Sequence, residues 1–158
     1  MKARQQLEKL RALRESRLRR AEYALAEQRR RCQTDAENLE ALDNKLAEQR
    51  RAFDHQEQAW FDSNGENLLS KAAFEDMRQG INVHYRRQAV LEEVRHEAEQ
   101  EQSRQLTERD RLASEWVRRM RSERALKKLV ARRHDAERLR DEVHAELEVE
   151  DAIPRGVR

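Results

Sequence analysis

The sequence predicts an all-α protein, a long antiparallel coiled-coil hairpin of two helices, and three observations predict it. An apolar residue recurs every seven positions at Leu18, Leu25, Cys32, Leu39, Leu46, Phe53 and Trp60. Charged residues make up 42% of the 158 residues and hydrophobic ones 37%, with three glycines and one proline. One short segment, residues 62–69, has the chemistry of a turn. A strict seven-residue repeat keeps one seam of a helix against a partner helix and winds the pair into a left-handed supercoil. So much charge leaves too little apolar surface for a compact core of the usual kind, and the expectation is a single elongated domain. Disorder is the competing reading of such a composition. It places no constraint on where leucines fall, so the stripe argues for a helix. No alternating apolar run or Val/Ile/Thr-rich segment bounded by turns suggests a strand.

The first helix is expected over about residues 3–61. Its seam is narrow, because the intermediate positions are mixed: Ala21, Ala36 and Leu42 fit, whereas Gln28, Gln49 and Gln56 do not. Cys32 reads as a small buried hydrophobe, since no second cysteine or nearby histidine completes a site. The turn is expected at residues 62–69, where Asp62-Ser63-Asn64-Gly65 contains the Asn-Gly dipeptide that readily reverses a chain. The second helix is expected over about residues 70–150. Ser70 is its N-cap candidate, with Glu75 and Asp76 near the positive end of the helix dipole. Residues 151–158, with Pro154-Arg155-Gly156, read as a flexible tail. Gly80 lies inside this helix at a cost of about 1 kcal/mol relative to alanine. Its bland reading is a tolerated weak point, and the sharper one is close approach of a partner backbone.

Pairing these helices by their apolar residues sets Trp60 against Phe74, Phe53 against Ile81, Leu39 near Val94 and Arg95, and Leu18 against Trp116. Leu46 then faces Gln88, the failure of that register. Met1 lies opposite about Arg133, which leaves Val143 and Leu147 on an unpaired overhang, readable equally as a partner site or as a fraying helix end.

Charge is unevenly spread. Met1–Arg31 holds eleven basic and four acidic residues, and residues 104–140 hold thirteen and six. Residues 32–70 hold three and nine, and residues 141–158 hold two and six. A hairpin places the two basic blocks together at the end carrying the termini, a polarity suited to docking one way round in an acidic pore or groove. Singly, each charge is an ordinary solvated helix residue supported by pairs such as Glu123–Lys127.

Catalytic chemistry is missing from the sequence. There is no Gly-rich phosphate loop and no Ser or Cys with a partnered histidine, so no enzyme activity and no cofactor are expected. Glu93-Val94-Arg95-His96 has the Glu-x-x-His spacing of di-metal bundles, with Asp141-Glu142-Val143-His144 as a distant near match. One hairpin does not bring the two together, and exposed helix residues are the favoured reading. A basic coiled coil binds nucleic acid weakly through phosphates, but no zipper follows a basic region and no aromatics interleave the arginines. Nucleic acid is therefore not an expected partner. The first ten residues carry charge throughout, so no signal peptide is expected, and no run approaches the roughly twenty apolar residues that span a bilayer. The expected location is cytoplasmic, without membrane insertion.

Three segments resemble the stalk proteins of type III secretion systems, the YscO-like and FliJ-like family. They are Arg17-Leu18-Arg19-Arg20-Ala21-Glu22, Gln56-Glu57-Gln58-Ala59-Trp60-Phe61-Asp62, and Lys71-Ala72-Ala73-Phe74-Glu75-Asp76-Met77-Arg78-Gln79-Gly80-Ile81. The resemblance leans to the injectisome type, a virulence machine, over the flagellar one. It implies a noncatalytic stalk that inserts its terminal end into a hexameric export ATPase, links it to the export gate, a membrane protein, and handles secretion chaperones at the base of the apparatus. Carried onto this chain, it implies ATPase contacts at Arg11, Arg14, Arg17, Arg118, Arg121, Val143 and Leu147. It implies gate contacts at Phe74, Ile81 and Tyr85, with Arg78 standing where that face would carry an apolar residue. The other classes are a generic coiled-coil scaffold or tether and a basic nucleic-acid-binding coiled coil.

Overall fold

The computed structural model describes residues 2–64 and 70–153, with the backbone only of Asn64. Two helices account for nearly all of them: α1, Lys2–Asn64, and α2, Lys71–Ala152. They pack against each other as an all-α antiparallel hairpin, and no strand occurs among the described residues. α1 runs on through Asp62, Ser63 and Asn64, which the sequence reading gave to the turn. Of the Asn-Gly dipeptide, Gly65 lies outside the described residues, as do the rest of the expected turn and Pro154-Arg155-Gly156. Ser70 caps α2: its Oγ accepts from the Ala73 N–H at 3.1 Å, and its carbonyl accepts from the Phe74 N–H at 3.0 Å. The helix runs two residues beyond the expected end, to Ala152.

The chain divides into two units, one made of residues up to Leu25 with residues from Arg111 onward, the other of Ala26–Asp110. In the first, which we call the terminal unit, Arg14 donates from Nη1 to the Ser122 carbonyl at 3.0 Å. Further along, the Trp116 indole N–H reaches Glu22 Oε1 at 3.4 Å. Leu25 and Leu126 are the buried leucines here, each 4% exposed. Glu123 is also buried, at 6% exposure, and is paired with Lys127, whose Nζ lies 3.0 Å from Oε1. A buried carboxylate without such a partner would be strongly destabilising.

In the second, central unit, the seam begins as a polar layer. The Gln28 amide donates to the Gln105 carbonyl at 3.0 Å and to Gln105 Oε1 at 2.6 Å. Cys32 is buried and its thiol sits 3.5 Å from the same carbonyl. Arg95 then pairs with Asp43 across the two helices. Beyond it, Phe53 stacks face to face on His84 with centroids 3.9 Å apart, and meets Trp60 edge-on at 6.2 Å.

These contacts correct the register. Phe53 meets His84 where Ile81 was expected, Trp60 packs on Gly80 where Phe74 was expected, and Trp116 lies beside Glu22 instead of Leu18. Relative to α1, α2 is displaced by about three residues, close to one helical turn. The physical reason is sorting. The observed register brings Leu46 level with Leu91 and Leu25 level with Leu112, while Gln49 comes level with Gln88 and Arg14 with Glu123. The rejected register leaves leucines facing Gln88 and Arg109. Burying a leucine fully is worth about 1.5–3 kcal/mol, and placing it against a wet side chain forfeits much of that.

Every member of the apolar stripe is in the seam: Leu25 and Cys32 are buried, and Leu18, Leu39, Leu46, Phe53 and Trp60 are half-buried. The companion stripe differs from the sequence reading. It is Ala21, Gln28, Asp35, Leu42 and Gln49, whereas Ala36 and Gln56 are exposed. Gln28 is only 4% exposed. Asp35 Oδ2 and Gln49 Oε1 are buried, with no hydrogen-bond partner among the described residues. The seam therefore carries polar side chains that a tighter coiled coil would replace with leucine.

Gly80 has a structural role. A Cβ built there would lie 2.7 Å from Trp60 Cη2, closer than side-chain atoms approach. The reading of Gly80 as a tolerated weak point is thereby corrected, and the close neighbour is an indole ring, not a backbone.

Candidate docking surface

The terminal unit holds most of both basic segments, and the Arg14–Ser122 and Trp116–Glu22 contacts place them side by side. Arg4, Leu7, Arg11, Val130, Arg133 and His134 line one shared depression together with Glu8 and Glu137. Several cations on this surface are neutralised locally. Arg4 pairs with Glu8 at 3.5 Å, Arg11 with Glu15 at 3.2 Å, and Arg133 with Glu137 at 3.4 Å. Exposed pairs of this kind contribute little stability, about 0.2–1 kcal/mol each, but they cancel charge.

Seven other arginines of the terminal unit are exposed and, among the described residues, have no ion-pair or hydrogen-bond partner: Arg17, Arg20, Arg118, Arg121, Arg124, Arg132 and Arg140. Three of them, Arg17, Arg118 and Arg121, are expected contact residues. The structure separates them from the other two arginines of that set. Arg14 is half-buried and bonded across the helix pair, so it holds the fold together, and Arg11 is tied to Glu15. Val143 and Leu147 are exposed on α2. So is every residue from 138 to 153, since α1 at Lys2 reaches only to about the level of Asp135. The overhang therefore begins a little later than expected, with Leu139 joining Val143 and Leu147 as an exposed apolar residue.

At the start of α2 the expected gate residues do not behave alike. Phe74 and Tyr85 are 56% and 60% exposed, and Ile81 is half-buried. The alternative reading of Phe74 as a seam residue against Trp60 is corrected, because Gly80 occupies that place. Tyr85 leans on the edge of the Phe53–His84 stack, with centroids 6.3 Å from Phe53 and 5.6 Å from His84. Arg78 is exposed on the same stretch. Phe61 is also exposed, an aromatic the sequence reading did not single out.

Arg95 is raised above the ordinary arginine value, first by its hydrogen bond to Asp43 and then by the attraction of that carboxylate. Glu93 and His96 form no site: His96 Nε2 lies 3.2 Å from the Gln100 amide nitrogen. Among the described residues no group of three or more His, Cys, Asp and Glu side chains is placed to hold a metal ion. No described helix is long and apolar enough to cross a membrane.

No protein-family model, curated protein or solved structure matches the chain. The surface must therefore be read from its own chemistry. What it offers is unpaired guanidinium groups along a stiff helix pair, beside an apolar and acidic helix end. Guanidinium groups on such a scaffold recognise carboxylates, and long-range attraction orients the approach of an acidic partner.

Sequence reasoning foresaw a close approach at Gly80 but not the Trp60 ring that makes it, and it missed the burial of Gln28 and the exposure of Leu129. Gln28 has no local signal, since its role depends on what lies across the seam. Leu129 did carry one: it falls off the seam repeat defined by Leu126 and Val130, which marks an apolar residue pointed away from α1.

Proposed function

We propose that this chain is a noncatalytic stalk of a type III protein export apparatus. In this reading the terminal unit docks its basic surface into the hexameric export ATPase, and the start of α2, at Phe74, Ile81 and Tyr85, connects to the export gate. Secretion chaperones are further partners. The observation that carries the reading is the pairing of two basic segments in one unit, with Arg17, Arg118 and Arg121 left exposed. The resemblance of the three sequence segments to the YscO-like and FliJ-like family supports it from a separate direction.

A second reading, a generic coiled-coil scaffold or tether, draws on exposed Leu139, Val143 and Leu147, which favour association with another helix. A nucleic-acid-binding coiled coil draws on the unpaired arginines alone, and it requires affinity that falls steeply with salt.

The test is binding to the purified hexameric export ATPase of the same organism. Arg118→Glu with Arg121→Glu is expected to keep the helical content and to weaken binding by about tenfold or more, as loss of charge complementarity at a docking surface does. Binding at undiminished strength by that variant would remove the basic surface from the mechanism.

A further inference from the structure

We propose that two copies of this chain pair through their terminal units as an antiparallel, two-fold symmetric dimer. The acidic end of each α2 lies in an arginine-rimmed groove of the other. Three observations carry this.

The first is the groove. Arg17, Arg20 and Arg119 rim a floor of Ala21, Ala24 and Leu112, enclosing about 280 Å³ between the two helices. The small alanines make the notch, and Arg17 and Arg20 are unpaired among the described residues. Its one acid, Glu115, is neutralised from both sides, by Arg111 at 3.6 Å and Arg119 at 3.8 Å. The groove therefore suits an apolar helix face flanked by carboxylates.

The second is a helix end of that chemistry in the same chain. Leu139, Val143 and Leu147 follow one another at four-residue steps and are exposed. From Asp141 to Ile153 there are six Asp/Glu residues and no Lys or Arg. Steps of four place the three side chains along one face, with acids on both flanks.

The third is geometry. Glu115, Leu129 and Val143 are spaced by fourteen residues, two heptads, so they share one heptad position and one face of α2. Leu129, midway between groove and acidic end, is 61% exposed. A two-fold axis through Leu129 sets residue 115 of one copy level with residue 143 of the other, and the reverse. Both acidic ends then meet both grooves at once, Leu129 meets its own copy, and Asp141 and Glu142 come level with Arg20 and Arg118. A closed, self-complementary contact of this kind is the commonest symmetry of soluble oligomers. The charges that a helix end and a groove leave unmatched within one chain are matched between two. The dimer covers Arg17 and Arg20, so self-pairing and docking of the basic surface on another protein exclude each other.

The experiment is disulfide cross-linking of the full chain in a Cys32→Ala background. Chains carrying Glu115→Cys and chains carrying Val143→Cys are oxidised separately and as a mixture. The dimer predicts a cross-linked species in the mixture and none in either preparation alone. Self-cross-linking of the Glu115→Cys chain alone means parallel pairing and overturns the proposal, as does absence of any cross-link in the mixture. Sedimentation equilibrium gives a second readout. Arg17→Glu with Arg20→Glu is expected to weaken self-association by about tenfold, and adding Asp141→Arg with Glu142→Arg to the same chain is expected to restore it. A chain that is monomeric at every concentration overturns the proposal, including one that binds an acidic helix of another protein in this groove.

Discussion

In the terminal unit the seam closes on leucine at Leu25 and Leu126, and the buried carboxylate of Glu123 is answered at 3.0 Å by Lys127. The central unit, Ala26–Asp110, passes Gln28, Cys32, Asp35 and Gln49 through the same seam before reaching an aromatic cluster at Phe53, Trp60 and His84. Both units leave arginines unpaired on their faces, Arg17 and Arg118 in the one and Arg29 and Arg86 in the other, but the central unit also ties Arg95 to Asp43 between the helices. The difference separates two jobs that a coiled coil must do. Leucine layers supply affinity between helices but tolerate sliding, because every leucine accepts every other. Polar and shape-specific layers add little affinity and forbid sliding, because a glutamine or an indole accepts few neighbours.

The comparison breaks most easily at its leucine layers. Leu18→Asp with Leu25→Asp puts two charges into the terminal seam, each costing about 3–5 kcal/mol if left unpaired. We expect loss of helical circular dichroism and a collapsed melting midpoint. An unchanged melt would mean that this seam does not hold the unit together.

The aromatic cluster gives the next largest effect, and its sign can be reversed. Gly80→Ala gains about 1 kcal/mol of helix propensity, while crowding the Trp60 ring costs about 1–3 kcal/mol. The single variant is expected to be destabilised by up to about 2 kcal/mol. In a Trp60→Leu background the same substitution is expected to stabilise. Thermal melts of the four proteins read the cycle, and additive effects would mean that Trp60 and Gly80 do not touch.

Gln28→Leu sharpens the contrast between affinity and register. Removing the amide leaves Gln105 without that donor but adds apolar surface, so stability should change by no more than about 1 kcal/mol. Register fidelity should fall. With Leu46→Cys and Leu91→Cys as reporters in a Cys32→Ala background, the parent should form one disulfide readily and the Gln28→Leu variant less completely. Equal yields would deny the polar layer its role.

The smallest effect is expected at the exposed pair between the helices. Asp43→Asn should lower the melting midpoint slightly at low salt and not measurably at high salt, since solvent screens such a pair. A large salt-independent loss would mean that Asp43 and Arg95 are more than a surface contact.

How far the sequence alone carries this structure follows from the same division. The seven-residue stripe from Leu18 to Trp60 was legible because its members are apolar, and Ser70 was legible as a cap because its hydroxyl acts on its own neighbours. The companion stripe was not, because Gln28, Asp35 and Gln49 look like surface residues until a partner helix covers them. Register was misjudged for a related reason. Pairing the aromatic end favours Phe53 with Ile81, but that alignment leaves leucines facing Gln88 and Arg109, which the observed register avoids. The basic surface was foreseeable as two charge blocks that a hairpin joins. Which arginines remain free was not, since Arg14 and Arg11 differ from Arg17 only in what stands nearby in space.

The stalk assignment is tested most directly by capture of this protein from its native cells after brief cross-linking and nuclease treatment, with identification of what co-purifies. The account predicts recovery of an export ATPase or a component of the export gate. Recovery of nucleic-acid-dependent partners only, or of this chain alone, would contradict it.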